Sequence, residues 1–206
     1  MPTVVTHPLI QSRLTALRDK KTAAWDFRKN VHEISQLLLY EATADLPTME
    51  TSVSSPLAET TGAELANTIT LVPILRAGLG MLNGMMEILT EAQVGHIGLV
   101  RNEQTFISRQ YFCKLPSDIT TSQILLLDPM LATGGSALKA IQQLTDAGAQ
   151  HIRFVCILAS PQGIALLEES VPDVPLFTAS IDDGLDDRNF IVPGLGDAGD
   201  RYFGTI

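Results

Sequence analysis

Apolar residues recur with a helical beat early in the chain. Phe27, Val31, Ile34 and Leu38 follow one another at helical spacings and line one face. Asp45-Leu46-Pro47 reads as the exit, because a proline disfavours helix in the residue before it. Residues 48–68 lose the beat: they are polar, rich in Thr, Ser and Glu, and predict no definite element. From there the period changes. Residues 68–75 form a β-rich apolar run, 78–89 have helical character, and 94–100 predict a second strand. A third strand spans 123–128, where the Ile-Leu-Leu-Leu run predicts burial on both faces. Residues 134–147 predict a helix closed by Gly148, 152–158 a fourth strand and 163–170 a further helix. The stretch 181–206, with many Gly and Asp, reads as loop. Strands alternating with helices predict an α/β fold around a mostly parallel sheet. No repeat or linker divides the chain, so it reads as one domain with an N-terminal helical arm over about 1–46.

Composition narrows the classes. The chain has 206 residues, 45% of them hydrophobic, enough for a sizeable core. No apolar stretch approaches the roughly 20 residues of a membrane span. Arg13, Arg18, Asp19 and Lys20 interrupt the N-terminal stretch, which does not read as a secretory signal. Cys113 and Cys156 stand apart, with no CxxC pair. Both read as reduced thiols of a cytoplasmic protein, and Cys156 as core packing. His7, His32, His96 and His151 are scattered and suggest no metal triad. A net charge of −9 argues against nucleic acid as the main partner.

The chemistry concentrates at Leu125-Leu126-Leu127-Asp128-Pro129-Met130-Leu131-Ala132-Thr133-Gly134-Gly135-Ser136. A buried strand ends at an acid, and Thr-Gly-Gly-Ser then opens a helix. Glycines let backbone approach an anion, and helix-start N–H groups point outward at it. Thr133 and Ser136 add hydroxyls, and Asp128 is placed for ribose hydroxyls or a hydrated cation. The lysine of GxxxxGK[ST] is absent, which disfavours an NTPase. The bland alternative is an ordinary strand–turn–helix with a capped start.

This stretch closely resembles the ribose-diphosphate signature of type I phosphoribosyltransferases. The single acid followed by proline resembles the version carried by the uracil phosphoribosyltransferases. The resemblance implies that Asp128, Pro129, Met130, Leu131, Ala132, Thr133, Gly134, Gly135 and Ser136 bind 5-phosphoribose 1-diphosphate. Val72-Pro73-Ile74-Leu75-Arg76-Ala77-Gly78-Leu79-Gly80 is similar to the family's diphosphate loop, and Arg101-Asn102-Glu103 to a second diphosphate contact. Read without the family, Gly78, Gly80 and Gly84 approach GxGxxG, but the last glycine comes one place late. An arginine rather than an acid ends the next strand, so only an NADP reading would fit there. The resemblance implies that residues 102–122 form a mobile flap that excludes water; without it they read as a plain surface hairpin.

Phe190-Ile191-Val192-Pro193-Gly194-Leu195-Gly196-Asp197-Ala198-Gly199-Asp200-Arg201 resembles the family's uracil hood, over about 180–206. The resemblance implies that Ile191, Gly196, Asp197 and Ala198 contact uracil, and that Asp197 also approaches the ribose diphosphate. A glycine-rich loop offers backbone N–H and C=O groups at fixed spacing. Cytosine would set donor against donor, at roughly 1–3 kcal/mol per unpaired buried group. Arg76, Arg101, Asp128 and Asp197 are the catalytic candidates so implied. The implied cofactor is Mg2+, held mainly by the substrate with Asp128 or Asp197 reaching it through water. A homodimer or larger homo-oligomer and a GTP effector belong to the same expectation. The stretch Asp182-Asp183-Gly184-Leu185-Asp186-Asp187 contains DDxxD, but beside a glycine in an α/β chain it reads as a solvated acidic turn. A purine phosphoribosyltransferase would show paired acids and a different hood. A non-catalytic regulator with this fold would need a basic face for RNA or DNA.

Overall fold

The computed structural model describes residues 1–101 and 108–205. After a short strand β1 (Thr3–Val4) come helices α1 (Pro8–Arg18) and α2 (Ala24–Ala42), of which α2 carries the helical spacing seen in the sequence. Phe27, Val31, Ile34 and Leu38 are all buried, each worth about 1.5–3 kcal/mol relative to exposure.

The polar stretch that predicted nothing is a hairpin, β2 (Thr48–Ser54) and β3 (Glu59–Leu65), paired antiparallel from Thr48↔Leu65 to Ser54↔Glu59. Within the two strands only Thr51 and Gly62 are part-buried; every other strand position is exposed. With neither face in a core, the hairpin has no apolar alternation to read.

The remaining elements alternate. Strand β4 (Ile69–Leu75) leads through α3 (Gly78–Met86) and a two-residue β5 (Gln93–Val94) to β6 (His96–Arg101), and β7 (Ser108–Lys114) returns antiparallel to β6. Strand β8 (Gln123–Leu127) is followed by β9 (Met130–Leu131), α4 (Gly135–Asp146), β10 (His151–Ala159), α5 (Pro161–Ser170) and β11 (Leu176–Ile181). Last come β12 (Gly184–Leu185), β13 (Ile191–Val192) and α6 (Ala198–Phe203). Among the described residues the main sheet runs β1-β11-β10-β8-β4-β6-β7 and is parallel except at β6/β7.

Alternation along the central strands builds two cores. Leu71, Leu125, Leu127, Val155 and Ile157 pack with α1, α2 and α3. Val72, Ile74, Ile124, Leu126, Phe154 and Cys156 pack with α4 and α5. Central strands are therefore buried on both faces, as the Ile-Leu-Leu-Leu run predicted. Two readings need correction. Strand β11 went unassigned, and 181–206 is not all loop: it holds the β12/β13 pair and α6, started by Asp197 and ended by Gly204 at φ 71°. Helix α6 is too short for periodicity to reveal.

Candidate active site

Neighbouring strands β4 and β8 send their connections in opposite directions, β4 through α3 to β6 and β8 through α4 to β10. Open parallel sheets bind ligands in the crevice so formed, beyond the strands' carboxyl ends. A cavity of about 760 Å³ lies there. Its walls include Ala77 after β4, Asp128 and 130–137 after β8, 187–191 from the β12/β13 hairpin, and 196–199 at the start of α6.

The cradle is held from behind. The carbonyl of Pro129 accepts from Ile157 and Leu158 N–H at 3.0 Å each, so the chain crosses from β8 to β9 while staying on β10. That backbone role leaves Pro129 outside the cavity lining, whereas Asp128 and Met130 to Ser136 line it. Gly134 has φ 81° at the start of α4 and supplies no side-chain cap. The first-turn amides of α4 thus begin in the cavity wall, beside the Thr133 and Ser136 side chains. The Ser160 hydroxyl donates to the Ala132 carbonyl at 2.6 Å and accepts from Gly163 N–H at 3.0 Å, which locks the loop to α5.

Asp128 lines the cavity, and among the described residues no cation contributes to its electrostatics. Burial pushes its carboxyl up to about 7, against the Met130 amide and helped by the negative charge of Asp197. Two carboxylates in one cavity are hard oxygen donors of the kind that bind Mg2+ through water. Among the described residues no group of three or more His, Cys, Asp or Glu could hold a metal by itself. Asp128 and Asp197 are thus lining carboxylates that could meet a cation through water.

The opposite wall carries Ile191, Gly196, Asp197 and Ala198. Asp197 caps α6, accepting from Asp200 N–H at 2.8 Å. Helix α6 is seated by Tyr202, whose hydroxyl lies 2.8 Å from His32 Nε2 and accepts from Asn83 at 3.3 Å. A side chain at Gly80 would put a Cβ 2.6 Å from the Tyr202 ring, so α3 must carry glycine there. Arg76 lies on the other side of this helix. It is exposed, pairs with Asp200 at 3.4 Å, and stands 5.5 Å from the Phe203 ring centre, outside the cavity lining. The backbone of Arg101 ends β6, while Asn102, Glu103 and the first part of the expected flap lie outside the described residues.

Residue-by-residue reading missed part of the wall. Asp187, Arg188 and Asn189 line the cavity, and Arg188 is the cation among the described lining residues, 5.3 Å from the Phe190 ring centre. An arginine beside an aromatic in the hood was the available signal. The acidic turn also needs correction. The Asp182 side chain is 2% exposed and accepts from Arg18 at 2.6 and 2.7 Å and from Gly194 N–H at 2.8 Å. Burial alone would raise its pKa, but the Arg18 guanidinium, the Gly194 amide and the Ser180 hydroxyl outweigh it and hold the carboxyl below the usual range. Asp186 does cap a turn, accepting from Arg188 and Phe190 N–H.

The family model described as uracil phosphoribosyltransferase matches residues 4–205. A protein of Dictyoglomus thermophilum named uracil phosphoribosyltransferase is 53% identical over 206 residues, covering 100% of both chains. One of Levilactobacillus brevis with the same name is 49% identical over 203 residues, covering 98% of this chain and 97% of its own. The solved AQ2163 protein from Aquifex aeolicus superposes with a TM-score of 0.94 at 35% identity, over 98% of each chain. A hypoxanthine-guanine phosphoribosyltransferase from Bacillus anthracis shares the fold alone, with a TM-score of 0.53 at 10% identity over 77% of this chain and 80% of that one. The family model and the near relatives span nearly the whole chain, and the distant structure shares its fold: the chain has the type I phosphoribosyltransferase fold and belongs to the uracil phosphoribosyltransferase family.

Proposed function

We propose that the chain transfers the phosphoribosyl group of 5-phosphoribose 1-diphosphate to N1 of uracil, giving UMP and diphosphate. The observation that carries this is one cavity with an anion cradle at 128–136 on one wall and a glycine-rich hood at 191–198 on the other. The cradle amides and the Thr133 and Ser136 hydroxyls hold the 5′-phosphate. Asp128 accepts from ribose hydroxyls. The hood offers backbone groups that complement O2, N3–H and O4 of uracil. As the C1′–oxygen bond to diphosphate breaks, positive charge develops on the ribose ring between Asp128 and Asp197. N1 of the held base then bonds to C1′, and its proton leaves to a diphosphate oxygen or solvent. Holding both reactants in this geometry supplies much of the rate. When bound, Mg2+ neutralises leaving-group charge, with Asp128 and Asp197 as its water-mediated partners.

Arg188 in the cavity wall supports binding of a ligand rich in phosphate. The exposed Met49, Val53, Leu57 and Leu65 on the β2/β3 hairpin support assembly into a homodimer or larger homo-oligomer.

Uracil, cytosine and hypoxanthine, each supplied with the ribose diphosphate and Mg2+, test the reading. UMP from uracil and no product from the other two is expected. A purine nucleotide product would replace it with a purine enzyme. Arg76→Ala tests the diphosphate contact. Arg76 must leave Asp200 to meet the leaving group, and a charge-assisted contact of about 1.5–3 kcal/mol predicts a loss in kcat of at least about tenfold. Unchanged steady-state kinetics would remove Arg76 from the site.

A further inference from the structure

The hood is fastened to the N-terminal arm by two arginines that cross in opposite directions. From the last turn of α1, Arg18 reaches both carboxylate oxygens of Asp182, and it also donates to the Gly194 carbonyl at 2.9 Å. Asp182 in turn accepts from Gly194 N–H, so the ion pair holds both polar groups of that residue. Gly194 turns the chain at φ 61°, where an added Cβ would lie 2.0 Å from the Ile191 carbonyl oxygen. The corner so fixed lies between Ile191 and Gly196, two of the cavity-lining residues assigned to the base. From α6, Arg201 returns to the arm. It donates to the Leu17 and Asp19 carbonyls and to Leu195, and its guanidinium carbon stands 4.5 Å from the Phe27 ring centre.

We infer that Arg18 and Asp182 are positioning residues for base recognition, setting the register of the hood backbone through Gly194 while touching no substrate themselves. The inference rests on the reading of 191–198 as the base site. A bidentate guanidinium–carboxylate pair fixes angle as well as distance, which a backbone-read base requires. A lysine at position 18 supplies one charge but cannot serve two carboxylate oxygens and a carbonyl in one plane. The cradle at 128–136 takes no part in this clasp, so the larger effect of loosening it falls on the base, with Asp197 the one hood residue shared with the ribose diphosphate.

Arg18→Gln, Arg18→Lys and Asp182→Asn in the full chain test the assignment. In Arg18→Gln and Asp182→Asn the KM for uracil is expected to rise by about tenfold or more, with kcat and the KM for the ribose diphosphate changing by less than about threefold. Arg18→Lys is expected to recover part of the loss and, keeping a cation beside Asp182, is the variant to score if the others fail to fold. An unchanged KM for uracil, or both KM values rising together, would overturn the assignment. Hydrogen exchange read by mass spectrometry gives a measure that needs no substrate. Faster exchange at 194–198 with unchanged exchange at 130–136 is expected in Arg18→Lys, and unchanged exchange at 194–198 would overturn the positioning role. If the hood loosens while the unsubstituted chain forms no UMP, the clasp stands and the uracil reading falls.

Discussion

Asp128→Asn is expected to lower kcat/KM for the ribose diphosphate by about a thousandfold, the scale of losing one charge-stabilising group in a closed site. The same substitution is expected to raise the melting temperature at alkaline pH. Burial raises the Asp128 carboxyl to about 7 in the folded chain, with the nearby Asp197 charge adding to the rise over the Met130 amide's opposition. An acid with a raised folded pKa binds its proton more tightly folded than unfolded. Stability therefore falls as pH climbs from about 4 to about 7, and the full penalty, at most about 4 kcal/mol, is present above that range. Asparagine carries no charge to bury, so the variant gains stability above about pH 7 and gains none below about pH 4. In the unsubstituted chain, a ligand that needs the carboxylate binds more tightly as pH rises through about 7. Melting curves against pH, with kcat/KM at each, check both halves. A variant that keeps its kcat/KM would show that Asp128 is not engaged with substrate, and one that melts lower at alkaline pH would show that it is not strained by burial.

That stored cost explains why the cradle is so legible. The Ile-Leu-Leu-Leu run demands burial on both sheet faces, and an acid at its end is an exception a folding rule would not choose. Gly134 after it meets a physical demand through its positive φ. Identity of the base partner was legible only through resemblance, because the backbone groups proposed to read it leave no side-chain signature. The same limit hid α6: Asp197 reads as a substrate contact in sequence, and its capping of the helix appears only once the helix is seen. Asp182 was misread as solvated because its partner, Arg18, lies 164 positions away. Charge runs look like surface until a distant cation is brought to them. The β2/β3 hairpin failed for the opposite reason, having no buried face to impose a period on its residues.

Gly163→Ala is expected to raise the KM for the ribose diphosphate by about fivefold to a hundredfold without touching any ligand, by overpacking of about 1–3 kcal/mol delivered to the back of the cradle. Gly163 stands in the first turn of α5, where an added Cβ would lie 2.5 Å from the Ala132 carbonyl oxygen and 2.9 Å from that of Leu131. Both are backbone atoms and cannot yield by changing rotamer. On the reverse side, a Cβ at Gly134 would lie 3.1 Å from the Gly163 carbonyl oxygen, so helix and cradle interlock through two glycines. An alanine at 163 must either lift α5, losing the Ser160 bonds to Ala132 and Gly163, or push Leu131 and Ala132 toward the cavity. Either movement shifts Thr133 to Ser136, whose amides and hydroxyls are proposed to meet the phosphate. The hood stands on the opposite wall and is held by α1, so the KM for uracil should change by less than about threefold. This pattern is the mirror of that expected for Arg18 and Asp182. Measured together, the two sets ask whether the cavity is built from separately supported halves. Equal loss of both substrates in Gly163→Ala, in a chain that still melts cooperatively, would show that cradle and hood move as one body.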